Sequence, residues 1–196
     1  ALSTASGSKN LAMRRIVAEL WGRVGHMQND FAVRNLMEMI DGGEDRVLEH
    51  SIIYALIEVN DPNTTAELMK NNPRDMAKRI ALIALDQMDN GNLKPEQVAP
   101  FLLSTNAALK EAATWIVSHH PDWGDALAGF FRDALGKKEI SPAEQIELEK
   151  QLANLSSSAA IQELIAKTLQ SDSKTLRSLA LKHARHFGYL RPKLEH

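Results

Sequence analysis

The chain has 196 residues, 44% of them hydrophobic and 24% charged, enough for one domain with a sizeable core. It contains no cysteine, which excludes disulfides, thiolate metal sites, a cysteine nucleophile and covalent attachment of a c-type haem within this chain. A formal net charge of −2 leaves no global basic field for nucleic acid or an anionic membrane, no apolar run approaches the roughly 20 residues of a membrane span, and no signal-peptide pattern is present.

Residues 1–9 are small and polar and read as a flexible segment. From residue 10 the pattern becomes helical, because alanine, leucine, glutamate, lysine and methionine dominate segments of 3.6-residue period. Arg14–Gly25 (RRIVAELWGRVG) is an amphipathic helix whose pattern returns from His50, Lys78, Glu111 and Arg177, and more faintly from Glu144. The mean step is about 33 residues, within the range of helical repeats. The third position of each copy is Ile16, Ile52, Ile80, Ala113, Ile146 and Leu179. The seventh is Leu20, Leu56, Ala84, Val117, Lys150 and His183. These positions are i, i+4 neighbours on one face. The fifth, Ala18, Tyr54, Leu82, Trp115, Leu148 and Leu181, widens that face and places Trp115 in the core.

Second helices are expected at 30–41, 62–70, 95–103, 122–135 and 157–170. Proline, glycine and asparagine fall between the periodic segments. Asp61-Pro62 and Asn72-Pro73 mark helix starts. Ser141-Pro142-Ala143-Glu144 is a capping box, and Ser156–Ser158 an N-cap. Asp41-Gly42-Gly43 and Gly136 close helices. Residues 10–190 thus read as one helical repeat domain. Residues 191–196 read as a tail, whose Leu194-Glu195-His196 is similar to the start of a polyhistidine tag.

A unit of about 33 residues made of two helices and a short turn, with ladders such as IIYALIEV (52–59) and IALIALDQM (80–88), resembles the HEAT and armadillo-like α-solenoids over about residues 11–188. The Asp-Val-Arg start of a HEAT unit is echoed in Glu44-Asp45-Arg46-Val47 and in Arg74-Asp75. The resemblance implies an all-α fold: a right-handed α-α superhelix of about five helix pairs plus a terminal capping helix. It also implies a concave surface lined by one helix of each pair, and protein–protein recognition or scaffolding without catalysis or cofactor. A fainter resemblance, at Trp21-Gly22, is to the HEAT segments of large planctomycete-type proteins. There the segment lies between a dehydrogenase-like propeller and a cytochrome c module, which would make this chain a spacer. HEAT-like DNA glycosylases supply a third reading.

Alternate-helix positions place the partner-binding face at Arg34, Glu38, Glu67, Lys70, Gln97, Arg132, Glu163 and Lys167. The partner expected is another protein or another domain of a parent chain. His183 and His186 are i, i+3 on a helix, and His119-His120 end an earlier copy. Two such histidines are too few for a closed metal site, and packing is the favoured reading, with no metal site expected. Trp21 and Trp123 lie beside helix ends and read first as inter-repeat packing. The basic residues sit at the two ends: Arg14, Arg15 and Arg23, then Lys174, Arg177, Lys182, Arg185 and Arg191. Glu38, Asp41, Glu44, Asp45, Glu49 and Glu58 lie between them. That distribution favours solvated end caps over a nucleic-acid groove. On this reading Arg14, Arg15, Glu19 and Arg23 face solvent, and Leu11 and Ala18 lie on an outer apolar face.

Overall fold

A computed structural model describes residues 2–40, 45–137, 139–170, 177–178 and 180–181, with side chains from residue 4 onward except at 26. Every regular element among them is helical: α1 Leu2–Ser6, α2 Leu11–Val24, α3 Asn29–Glu38, α4 Arg46–Val59, α5 Pro62–Asn71, α6 Asp75–Gln87, α7 Pro95–Val98, α8 Ala107–His119, α9 Gly124–Leu135, α10 Pro142–Asn154 and α11 Ala159–Leu169. The chain falls into two compact units. The first is Ala1–Lys94 with Ser104–Ile116, the second Pro95–Leu103 with Val117–His196.

The first unit is two-layered. Helices α2, α4 and α6 stack in one layer, α3 and α5 in the other, and α3 meets α4 as α5 meets α6. The α2–α4 seam is close because glycine permits it. Gly22 lies over Ala55, and Gly25 fits between Val59 and Ala32. In the second unit α9 packs on α11 and on α7. Gly124, the first residue of α9, lies against the side chain of Ser158. Ser158 caps α11, its Oγ accepting from the Ile161 amide at 3.3 Å and donating to Asp125 at 2.8 Å.

The ladder holds in α4, α6 and α8, where Ile52 and Leu56, Ile80 and Ala84, and Ala113 and Val117 are all buried. In α2 and α10 the buried face is displaced. Val17, Ala18 and Trp21 are buried while Ile16 is 52% exposed. Leu148, Gln151 and Leu152 are buried while Ile146 is 66% exposed. The displacement arises because α4 meets α2 on the face of Gly22 and Ala18, not on that of Ile16. Ala18 is accordingly enclosed, whereas Leu11 is exposed. Trp115 is not in the core: it is 46% exposed, like Tyr54 at the same position of its copy. Trp21 and Trp123 are buried and pack.

Several boundaries differ from expectation. The second helix expected at 95–103 is one α-helical turn followed by a 3-10 turn over Ala99–Phe101. Pro100 lacks the amide an α-helix would use there. Pro121–Trp123 is likewise a 3-10 turn ahead of α9. Residues 1–9, expected to be flexible, include α1, whose Ser6 is buried and accepts from Trp21 Nε1 at 3.2 Å. Residues 177, 178, 180 and 181 are helical, with Ala180 buried. The Asp41-Gly42-Gly43 stop, the tail at 191–196, Leu179, His183 and His186 lie outside the described residues.

Arg14 is not an exposed cap residue. It is buried, and its guanidinium donates to the Met39 carbonyl just beyond the end of α3. Arg74, which precedes α6, donates to the Ile40 carbonyl and, at 3.3 Å, to that of Met37. Two arginines, one on α2 and one just ahead of α6, thus satisfy carbonyls at the C-terminal end of α3, which carries partial negative charge. Arg15 makes a two-pronged bond to Asp45 at 2.9 and 2.7 Å, and Asp45 caps α4 by accepting from the Val47 and Leu48 amides. The Arg15 hydrogen bond, then the Leu48 amide, hold the Asp45 carboxyl below its ordinary range. The capping box forms as expected. Ser141 Oγ accepts from the Glu144 amide at 3.2 Å, and Glu144 accepts from the Ser141 amide at 3.0 Å.

Two tests follow from this packing. Gly25→Ala would put a methyl 2.9 Å from the Ala32 Cβ and against Val59, so it should lower unfolding free energy by about 1–3 kcal/mol. Gly129→Ala, inside α9 with nothing within 4 Å of the added atom, should raise it by about 0.5–1 kcal/mol. Urea unfolding of both variants checks the pair, and equal effects would contradict the packing. The capping box carries a pH signature. The Ser141 amide and hydroxyl, aided by Lys137, bring the Glu144 carboxyl down to about 2 from an ordinary 4.5. A depressed carboxyl stabilises the fold above its unfolded pKa and loses that contribution as pH falls through the folded value. The melting-temperature gap between the native chain and Ser141→Ala should therefore be largest above pH 4.5 and shrink toward about pH 2. NMR titration of Glu144 in that variant should show a pKa moved up from about 2 but still below 4.5, because the residue-141 amide and Lys137 remain.

Candidate interaction surface

Two clefts of the first unit lie along α2, α4, α6 and α8. On α4, residues 46, 49, 50 and 53 recur at helical spacing and share a face; residues 76, 79 and 83 do so on α6, and 108 and 111 on α8. Together they line an open cleft of about 930 Å³: Arg46, Glu49, His50 and Ile53, then Met76, Arg79 and Ile83, then Ala108 and Glu111. A second cleft of about 300 Å³ runs between α2 and α4, lined by Glu19, Arg23, His50, Ser51, Tyr54, Ala55 and Glu58. His50 borders both, and its ring meets Tyr54 edge to face at 4.8 Å.

The large cleft is centred on the ion pair of Arg79 with Glu49, whose side chains are 26% and 15% exposed. Burial lowers the Arg79 pKa; the attraction of Glu111 opposes that shift and the repulsion of Arg46 adds to it. Arg79 Nε is buried without a hydrogen-bond partner. Such a site presents two cations and two carboxylates over an apolar floor of Ile53, Met76 and Ile83. It can receive a mixed-charge, partly apolar segment. It contains no nucleophile aligned with a base, and among the described residues no group of three or more histidine, aspartate or glutamate side chains could hold a metal ion.

The eight residues expected to form the binding face are divided between the two units. Arg34, Glu38, Glu67 and Lys70 belong to the first unit, and Gln97, Arg132, Glu163 and Lys167 to the second. All but the half-buried Gln97 are exposed, and none lines either cleft. Several of their charges are locally matched. Arg34 pairs with Asp30 at 2.9 Å and feels Glu67 on α5. Glu163 pairs with Lys167 at 2.6 Å, and Arg132 of α9 helps keep its carboxyl low. Exposed pairs of this kind contribute little to stability and leave a solvated face. The histidines at the end of α8 also find local company: His119 lies 3.3 Å from Ser118 Oγ, and His120 stacks on Trp123 at 4.1 Å.

The cleft residues Arg46, Glu49, His50, Arg79 and Glu111 were not among the sequence candidates. The signal that marks them is polar spacing of three or four along the flank of each first helix, beside the apolar ladder. Compared with protein-family models and with curated proteins, the chain matches none.

Proposed function

We propose that the chain is a non-enzymatic protein-binding or scaffolding module built as a HEAT-like right-handed α-solenoid, and that it holds an extended partner segment along the first helices α4, α6 and α8. The observation that carries this reading is the large cleft itself, in which three successive first helices place charges of both signs around apolar side chains. Stacked helical repeats offer such rows because each unit repeats the same exposed flank. Alternating charge favours a polypeptide, whose own side chains can answer both signs, over a phosphate backbone, which needs a continuous cationic track. The partner is another protein or another domain of a parent chain.

The test is selection of peptide ligands from a random displayed library against the whole chain. Arg46 and Glu111 are exposed, so the double variant Arg46→Glu/Glu111→Arg should keep its melting temperature. It should weaken selected peptides at least tenfold, about 1.4 kcal/mol. Reversals at Glu38, Glu67 and Lys70 should leave binding unchanged. Failure to select any ligand, or equal binding by the cleft variant, overturns the proposal. Weakening by the second set alone moves the face to the second helices.

A further inference from the structure

Helix α2 has two apolar faces. One, with Val17, Ala18 and Trp21, is buried. The other consists of Met13, Ile16, Leu20 and Val24, continued by Met27 in the 3-10 turn that follows, and these side chains are between 38% and 78% exposed. Scattered apolar residues on a surface need no explanation, but five in one helical stripe form a contiguous patch. Among the described residues no helix of the first unit covers it, since α4 lies on the side of Gly22 and α1 on that of Trp21.

The stripe reads the same in both directions. Its spacings are three, four, four and three residues, centred on Leu20. An antiparallel copy would therefore set Leu20 on Leu20, Ile16 on Val24 and Met13 on Met27. In a two-fold antiparallel pair the same edge of each helix meets itself. One edge of the stripe carries Glu19 and Arg23, both exposed. Pairing about Leu20 brings Glu19 of one chain within about two residues' rise, roughly 3 Å along the axis, of Arg23 of the other, twice over. Apolar register and charge register agree on one arrangement. A parallel two-fold pair would instead set that edge against the opposite edge of the partner helix, so Glu19 and Arg23 would not face each other.

We propose that α2 is a self-association surface, and that two copies of this chain pair antiparallel through Met13, Ile16, Leu20, Val24 and Met27 with Leu20 on the two-fold axis. The interface is isologous, as closed dimers require. A single helix stripe is small by the standard of permanent interfaces, so the dimer is weak and its population depends on concentration.

The absence of native cysteine makes the geometry directly testable. Sedimentation velocity from about 5 to about 500 μM should show a monomer–dimer equilibrium that Leu20→Glu abolishes with unchanged helical circular dichroism. Glu19→Arg and Arg23→Glu should each weaken the dimer several-fold, and the double swap should restore it. Under mild oxidation Leu20→Cys should crosslink to itself. Met27→Cys alone should not, because its counterpart lies roughly 21 Å away along the axis. A mixture of Met13→Cys and Met27→Cys should crosslink. A monomer at every concentration overturns the proposal and leaves the stripe to a different polypeptide. A dimer indifferent to Leu20→Glu overturns it too, as does Met27→Cys crosslinking as readily as Leu20→Cys.

Discussion

An amphipathic helix pair cannot bury its own apolar face, and in this chain the answer is close approach of neighbouring helices. Backbones come together only where side chains are small enough to let them. In the first unit Gly22 and Gly25 set the distance between α2 and α4, and with it the side of α2 that turns inward. Because the glycine side faces α4, Val17 and Trp21 enter the core and Ile16 and Leu20 do not. The second unit repeats the device at Gly124, over the cap of α11. A larger side chain at these positions would alter more than local packing. It would rotate or lift a helix, and with it every face that helix presents.

Electrostatics at helix ends then locks the layers. Carbonyls at the end of α3 receive arginines from α2 and from the start of α6. A buried carbonyl left without a donor would cost on the order of 1–3 kcal/mol, so these contacts are part of the fold's bookkeeping and not surface ornament. Asp45 has a double office, since its carboxylate caps α4 and accepts Arg15 of α2. Both arrangements tie helices distant in sequence through groups that sequence periodicity alone would place in solvent.

This explains what was legible and what was not. Period and punctuation specify helix existence well. Asp61-Pro62, the capping box at Ser141 and the cap at Ser158 are local chemistry, and each forms where its residues predict. Facing is a different matter. The strip of α2 that is buried depends on which neighbour approaches and how closely, and Ile16 and Val17 are equally apolar candidates. The same holds for Trp115, whose aromatic bulk suggests a core residue but whose position lies at the edge of the buried arc, where Tyr54 is also exposed. Arg14 is not legible locally, because charge reads as surface until a tertiary acceptor such as the Met39 carbonyl is known. The cleft was hidden for a related reason. Arg46, Arg79 and Glu111 lie on three helices, and nothing local relates residues whose only connection is stacking.

The two surfaces of the first unit differ in kind, and the difference is physical. The cleft on α4, α6 and α8 is a wet, charged concavity with an apolar floor, in which a partner's charges must be satisfied one by one. The outer stripe of α2 carries its charges only along an edge. Affinity in the first case depends on matching the partner's sequence. In the second it depends on apolar area, with Glu19 and Arg23 choosing the direction. A surface whose pattern is its own mirror suits a second copy, whereas one whose charges alternate without symmetry suits a different chain. Occupying one need not disturb the other, because Leu20 lies opposite the face of α2 that meets α4. The coupling that remains is through Glu19 and Arg23, which border both the stripe and the small cleft beside His50.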